Sequence, residues 1–290
     1  MVNDIPGANT YFSIRDRVAV TLFFLTHCGN ISSSGNVFGM GRASAVRYIQ
    51  EVTNVLQALR KNYVNFHFSL DEFKRIADGF QSIANFPNVI GAIDCTLIEV
   101  ERPEDFEGWY CRKGFCAFNV QAICDASYKF MSYAIFPGSM TDKSIFNASE
   151  FGKICRNIPS EFHIVGDAGY TLKNNLITPY DRYDIMPTDQ APVNYWHSKT
   201  RIIIEGAFGI LKNRFRILKS GLNMKSMKKN AQIIEGCIIL HNILCDIHDD
   251  TEIEVPDVLE NGSDHELSSS TSLGISKRDQ LKIYLNTINK

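Results

Sequence analysis

The sequence lacks any apolar run long enough to cross a membrane. Its longest early run, Val18 to Cys28, is about half of the roughly 20 residues a spanning helix needs. That run follows Arg15 and Arg17 but has no small-residue cleavage site, so it is read as core and not as a signal peptide. A disulfide framework is missing too: the eight cysteines are spread over 290 residues, mostly inside apolar segments. They read as reduced core residues of an intracellular protein. A thiolate metal site is excluded as well. Cys237, His241 and Cys245 fall at i, i+4 and i+8, which puts the two cysteines about 12 Å apart on a helix, too far for one zinc ion. Cys111 and Cys116 have no second pair beside them. No Lys/Arg cluster reads as a strong nuclear-localisation signal, and a net charge of −2 excludes a uniformly basic surface. The charge is unevenly placed, however. Asp246 to Glu266 holds nine acids and no Lys or Arg, and without it the net charge of −2 becomes +7. The overall balance therefore leaves DNA open as a partner.

What is present is a large apolar fraction, 44% with 11% aromatics, enough for one large domain and a small one. The chain is organised around Asn88-Val-Ile-Gly-Ala-Ile-Asp-Cys-Thr-Leu-Ile-Glu-Val100. Its middle is apolar on both alternating faces, as in a central strand covered on both sides. Asp94 interrupts it, and a carboxylate there needs a hydrogen-bond network or a metal. Two further apolar segments carry one acid each. Phe162 to Val165 leads into Gly166-Asp167-Ala-Gly, and Arg201 to Leu211 is a helix with Glu205 among apolar residues. Two strand-borne aspartates and a helix-borne glutamate suit a two-metal phosphodiester site. Hard ions such as Mg2+ or Mn2+ take carboxylate oxygens and need no histidine or cysteine.

These residues resemble the PIF/Harbinger transposases and their host-adopted relatives, a branch of the DDE superfamily endonucleases. The resemblance runs through Gly91-Ala-Ile-Asp94-Cys-Thr, Pro137-Gly-Ser-Met-Thr-Asp142, Gly166-Asp167-Ala-Gly-Tyr, Ile204-Glu205-Gly-Ala-Phe with Arg214-Phe-Arg216, and Leu240-His-Asn242. It implies an α/β, ribonuclease H-like mixed sheet with flanking helices, preceded by a small helical domain. It also implies Asp94, Asp167 and Glu205 as a catalytic, metal-holding triad. DNA would be the substrate and the nucleus the site of action, with cytoplasmic presence as well. A separate Myb/SANT-like protein would supply sequence specificity and nuclear entry. Self-assembly of the chain is left open.

Taken in order, residues 1–84 read as the helical N-terminal domain, 85–245 as the nuclease domain, and 246–290 as an acidic, Ser-rich linker with a short terminal helix. Residues 1–10 read as a loose terminus. Ile14 to His27 is apolar nearly all round and is expected to be a buried helix. Gly29 to Gly35 reads as a turn, followed by short-linked helices over 36–40 and 42–59. That pair could form a helix-turn-helix with Arg42 and Arg47 facing DNA. A helix is expected from Leu70 to Ile83, and strands over 89–100, 118–124 and 130–136 as a meander. Asp142 is read foremost as the N-cap of a helix over 143–150, with a supporting role at the site as the alternative. Ser160 to Gly166 is expected as a strand parallel to the first. Residues 171–197 read as a functional or inserted loop; Asn194-Tyr-Trp-His197 resembles the family's lead-in to the next helix, which implies that the loop borders the cleft, and a helix is expected over 198–219. Seven Lys or Arg and no acid lie between Lys212 and Lys229. Lys212, Arg214 and Arg216 of this run are candidate DNA contacts, as is Arg201 one turn before Glu205, whose alternative role is to orient that carboxylate. Residues 246–272 read as a flexible linker, with a terminal helix over 276–286.

The function expected is metal-dependent DNA cleavage by a two-metal mechanism. One rival is a domesticated DNA-binding or regulatory protein that keeps the acids without transposition. The other is a small-molecule phosphatase, which the basic stripe and the N-terminal helices disfavour.

Overall fold

The computed structural model describes residues 11–27, 30–66, 68–181, 187–224, 226–247 and 270–288. In chain order these form α1 (Ile14–Thr26), α2 (Ile31–Val37), α3 (Arg42–Ala58), α4 (Arg60–Tyr63) and α5 (Leu70–Ala84). Next come β1 (Val89–Glu99), β2 (Ala117–Cys124), β3 (Phe130–Pro137), α6 (Asp142–Ala148), α7 (Glu150–Ile154), β4 (His163–Val165) and β5 (Leu176–Ile177). The chain continues with α8 (Ala191–Arg214), α9 (Met227–Asp246) and α10 (Ser272–Ile288). The expected loose terminus at 1–10 and most of the expected linker at 246–272 lie outside the described residues. No helix among the described residues is long and apolar enough to cross a membrane.

Contacts divide the chain into two compact units. The first joins Met1–Val64, Ile98–Phe118 and Ile210–Ile253, and the second joins Asn65–Leu97, Asn119–Gly209 and Glu254–Lys290.

In the first unit α1 and α2 pack on α3, and α3 packs on α9. Val20, Met40, Ala45 and Tyr48 form a small core there. Helix α1 is buried on one face only, through Val20, Thr21, Phe24 and Leu25, while Ile14, Val18 and Leu22 stay exposed. The all-round burial expected of α1 is thus corrected, because its neighbours cover a single side. Helix α2 also starts earlier than the expected turn allows: the Asn30 side chain accepts the Ser33 amide at 3.1 Å and caps it.

The second unit carries the α/β sheet, five strands in the order β3-β2-β1-β4-β5. Strands β1, β4 and β5 run parallel. The β2–β3 connection closes where the Asp125 amide donates to the Lys129 carbonyl at 3.0 Å. So short a link permits only antiparallel neighbours, so the sheet is mixed. Its core gathers Ile90 and Ile93 of β1, Ile123 of β2, Met131 of β3, Ile164 of β4 and Leu176 of β5. Phe73 of α5, Phe146 of α6 and Phe151 of α7 cover one face. Ser69 starts α5 with a capping box shared with Glu72, which satisfies amides of the first turn. Helix α10 returns to this unit. Lys277 Nζ donates to the Phe162 carbonyl at 2.9 Å, and Tyr180 Oη donates to Asp279 at 2.8 Å.

Candidate active site

The register of two parallel strands sets the site. Ala92 of β1 pairs with Val165 of β4, and two residues beyond each stands an aspartate, Asp94 and Asp167. Both acids therefore stand level where the pairing of β1 with β4 stops, although β1 itself runs on to Glu99. The burial of β1 changes at this point: Val89 to Ile93 are buried, and Asp94 to Leu97 are only partly so. Asp167 follows Gly166, where a Cβ would lie 2.9 Å from both Ile93 and Tyr170. Only glycine lets the chain leave β4 so close to the neighbouring strand.

Asp142 joins them. Oxygens of Asp94, Asp142 and Asp167 lie within 4.8 Å of one another, the one such cluster of potential metal ligands among the described residues. This corrects the reading of Asp142 as a helix cap. The cap of α6 is Thr141, whose hydroxyl accepts the Ser144 amide at 3.3 Å, and Asp142 is the first helical residue. Its carboxylate is free of capping duty and reaches the other two.

Glu205 lies on α8 and outside that close cluster. It is tied to it through Arg201, whose guanidinium donates to Asp94 Oδ2 at 2.8 Å and to Glu205 Oε1. The sequence thus brings Asp94 and Asp167 together with Asp142, while Glu205 and Arg201 form the adjoining wall. Arg201 is held in this ionic contact and not on an open helix face.

The remaining hydrogen bonds orient the acids. The Cys95 amide donates to Asp94 Oδ1 at 2.7 Å, and the Gly169 amide to Asp167 Oδ1 at 3.1 Å. Asn119 Nδ2 reaches Asp142 Oδ1 at 3.4 Å, and Gln121 Nε2 donates to the Asp142 carbonyl at 3.2 Å and to Tyr170 Oη at 3.0 Å. Burial pushes Asp94 up to about 7, with Asp167 and Asp142 adding to the shift while Arg201 and the Cys95 amide oppose it. Burial also holds the Cys95 thiol and the Tyr170 phenol well above their usual ranges. Cys95 is therefore a neutral packing and hydrogen-bonding group, not a thiolate nucleophile.

Asn119, Gln121 and Tyr170 were not picked out from the sequence as site residues. Their signal was two amides at i and i+2 on a strand that is otherwise apolar, which places both on one face. The expected loop at 171–197 is also corrected at its end. Asn194 and His197 lie inside α8, which begins at Ala191. Asn194 brackets Tyr180 by accepting its amide and donating to its carbonyl at 2.8 and 2.9 Å. His197 Nε2 sits 3.1 Å from the Ile177 carbonyl, and burial pulls its pKa down to about 4. These two residues fasten α8 beside β5. The expected helix end at 219 is replaced by a break at Phe215 and a 3-10 turn over Arg216–Lys219.

The other candidate DNA contacts lie in the first unit. Arg42 is exposed and donates to Ser32 at 3.1 Å. Arg47 pairs with Glu51 at 3.7 Å and lies over the Tyr48 ring at 4.8 Å. Lys212 and Arg214 occupy the last turn of α8, and Arg216 is exposed in the 3-10 turn after it. Burial, with Lys113 and Lys219 adding, pulls Lys212 down to about 8.

The three clustered donors are all hard carboxylate oxygens, and their mutual repulsion is what a divalent cation would relieve. The residues fit Mg2+ or Mn2+.

Comparison with known proteins matches the sequence of this chain to a family. A model described as "DDE superfamily endonuclease" covers residues 93–242. HARBI1 of Rattus norvegicus, whose name makes it a candidate nuclease, is 29% identical over 236 residues, 78% of this chain and 66% of that protein. An ALP1-like protein of Arabidopsis thaliana is 29% identical over 264 residues, covering 84% of this chain and 64% of its own. The Arabidopsis protein named "Antagonist of like heterochromatin protein 1" is 28% identical over 261 residues, 84% of this chain and 65% of its own. The chain spans about two thirds of the length of the curated relatives it matches. No solved structure matches. With more than half of the chain inside the family match, and Asp94, Asp142, Asp167 and Glu205 all within it, the chain belongs to the DDE superfamily endonucleases, among the Harbinger-type transposases and their derivatives.

Proposed function

We propose that this chain is a divalent-metal-dependent DNA nuclease on a ribonuclease H-like fold, with Asp94, Asp167 and Glu205 as its catalytic acids. The observation that carries this reading is the crowding of the Asp94, Asp142 and Asp167 carboxylates within 4.8 Å, beside the place where the parallel pairing of β1 and β4 stops. A fold keeps such repulsion where a ligand offsets it. Mg2+ or Mn2+ held there would supply Lewis-acid activation of the attacking oxygen and stabilisation of the leaving one.

The chain's own residues prepare the site. The Cys95 and Gly169 amides each hold one oxygen of Asp94 and Asp167, which aims the second oxygen of each acid. Arg201 balances Asp94 and Glu205 and ties α8 to the middle of β1. The burial of the sheet's core around these acids lowers the local dielectric and strengthens every charge interaction there. Attack by water would nick DNA, and attack by a DNA 3′-hydroxyl would join strands. DNA contact by Arg42, Lys212, Arg214 and Arg216, nuclear action, and sequence specificity supplied by a Myb/SANT-like protein belong to the same proposal.

A second reading is a domesticated regulatory protein that no longer cuts. It draws on Arg201, whose pairing with two of the proposed acids competes with a cation, and on the name of the Arabidopsis antagonist. Supercoiled-plasmid nicking with Mg2+ or Mn2+, with Asp94→Ala and Asp167→Ala as controls, separates the two. Nicking by wild type and none by the variants supports the nuclease. Metal binding without nicking supports the regulator. Hydrolysis of nitrophenyl phosphate without nicking would point to the phosphatase.

A further inference from the structure

We propose that the hairpin Tyr110–Cys116 and the 3-10 turn Arg216–Lys219 form a contact site for a nucleic-acid backbone, in which Lys113, Lys212 and Lys219 hold phosphate and Tyr110 stacks on a base. The proposal rests on the DNA reading above. It adds Lys113, Lys219, Tyr110 and a defined place within the first unit. Three observations carry it.

The first is how the backbone joins these pieces. Tyr110 and Cys116 form an antiparallel bridge, and Val100 and Leu222 a parallel one. The Val100 amide donates to the Cys116 carbonyl at 3.0 Å, and the Leu222 amide donates to the Glu99 carbonyl at 2.9 Å. Residues 99–101 therefore fasten the hairpin to the segment just after the 3-10 turn. The hairpin closes through the Cys111 amide on the Phe115 carbonyl at 2.9 Å, with Gly114 in the left-handed region at a φ of 83°. Arg112 and Lys113 are exposed at its tip.

The second is a gathering of cations. Lys219 is exposed, and its Nζ donates to Asn213 Oδ1, which holds it at the last turn of α8. Lys212 is half-buried beside Asn213, and the charged groups acting on it are Lys113 and Lys219. None of the acids at 101–107 is among them. Three ammonium groups held together repel one another, and a phosphate offsets that repulsion; lysine binds it as a point charge.

The third selects nucleic acid over a free anion. Tyr110 is 40% exposed, and its ring stands at 68° to that of Phe106 with centroids 5.6 Å apart. An exposed ring beside a basic cluster suits an unpaired strand, because bases stack on aromatic faces whatever their sequence.

Fluorescence anisotropy of the full chain in EDTA over a salt series, with a labelled duplex and a labelled thymidine oligonucleotide, tests this. Lys113→Ala and Lys219→Ala should each lower the slope of log affinity against log salt on the duplex by about 0.9. Lys74→Ala, which removes an exposed lysine of α5, should leave that slope unchanged. Tyr110→Ala should bind the oligonucleotide roughly 5–100-fold more weakly, and Tyr110→Phe, which keeps a stacking ring, should bind it like wild type. If both lysine variants keep the wild-type slope, the phosphate site is overturned, while plasmid nicking by wild type still upholds the nuclease reading. If Tyr110→Ala binds the oligonucleotide like wild type, the stacking contact is overturned. Displacement of both DNAs by inorganic phosphate at fixed ionic strength would identify a free-anion site and overturn the nucleic-acid assignment. A wild type that binds neither probe overturns the DNA reading along with the proposal.

Discussion

In the second unit, Asp94, Asp142 and Asp167 converge while one guanidinium, that of Arg201, pairs with Asp94 and Glu205. In the first unit, Glu51 is shared by Arg17 and Arg47, and both arginines lie over the ring of Tyr48. The first arrangement gathers like charges and weakens the fold; the second matches opposite charges on helix surfaces and contributes a little to it. Stability explains Arg17 of α1 and Arg47 of α3 well and the clustered acids badly. The acids are therefore where function is to be sought, and Arg47 is a weaker candidate for DNA contact than its sequence position alone implies.

The largest expected effect is on cleavage. Asp94→Ala, Asp167→Ala and Glu205→Ala should each reduce Mg2+-dependent plasmid nicking by more than the roughly 10–100-fold typical of losing a supporting partner. Circular dichroism should show the fold retained. Wild-type nicking by any one of them removes that residue from the catalytic set, and if all three nick normally the comparison collapses.

Next comes the stability of the site without metal. The folded-state pKa of Asp94 is raised above its usual value of 3.8 to about 7, so the folded state binds more protons than the unfolded one between those values. Stability in EDTA should therefore fall as pH rises from about 4 to 7, by roughly 1–4 kcal/mol from this group. Saturating Mg2+ should flatten or reverse that trend, because the ion favours the ionised acid. Urea melts across this pH range measure both. A flat profile in EDTA with Asp94→Asn indistinguishable from wild type would mean that the acids are not strained.

A smaller effect is expected on DNA affinity. Each lost phosphate contact lowers the slope of log affinity against log salt by about 0.9. Arg216→Ala should do so at any pH. Lys212 is pulled down to about 8, so Lys212→Ala should act at pH 7 and lose its effect near pH 9. Unchanged slopes for both would reduce these residues to a solvated face.

The smallest effect separates the two arginines of α3. Arg47→Ala removes a pairing with Glu51 and a stack on Tyr48 and should cost about 0.5–1 kcal/mol in urea unfolding. Arg42→Ala, which loses one exposed contact to Ser32, should cost less than about 0.5 kcal/mol. The reverse order would return Arg47 to the list of residues free to meet DNA.

Much of this was legible in the chain. The runs expected as strands at 89–100, 118–124 and 130–136 are strands over Val89–Glu99, Ala117–Cys124 and Phe130–Pro137, and the helix expected from Leu70 to Ile83 runs over Leu70–Ala84. Local patterns of this kind survive folding because side-chain periodicity and capping act within a few residues. The nearness of Asp94 and Asp167 was foreseeable because one acid interrupts an apolar strand, the other follows a strand expected to run parallel to it, and each stands two residues beyond the paired Ala92 and Val165.

Three things depended on the fold as a whole. Whether α1 is covered on one side or all round depends on which helices reach it, and residues 14–27 do not contain that information. The true beginning of α8 at Ala191 depends on Asn194 and His197 finding partners at Tyr180 and Ile177, more than a dozen residues away in the chain. Asp142 looked like a cap because Thr141 and Asp142 are both good capping residues at that position. Sequence by itself determined the strands, the central helices and the residue types of the site; tertiary structure decided which acids share it. The physical reason is one of range: a carboxylate's role is set by the charges and amides within a few ångströms of it, and for Asp142 those come from β1, β2 and the turn after β4.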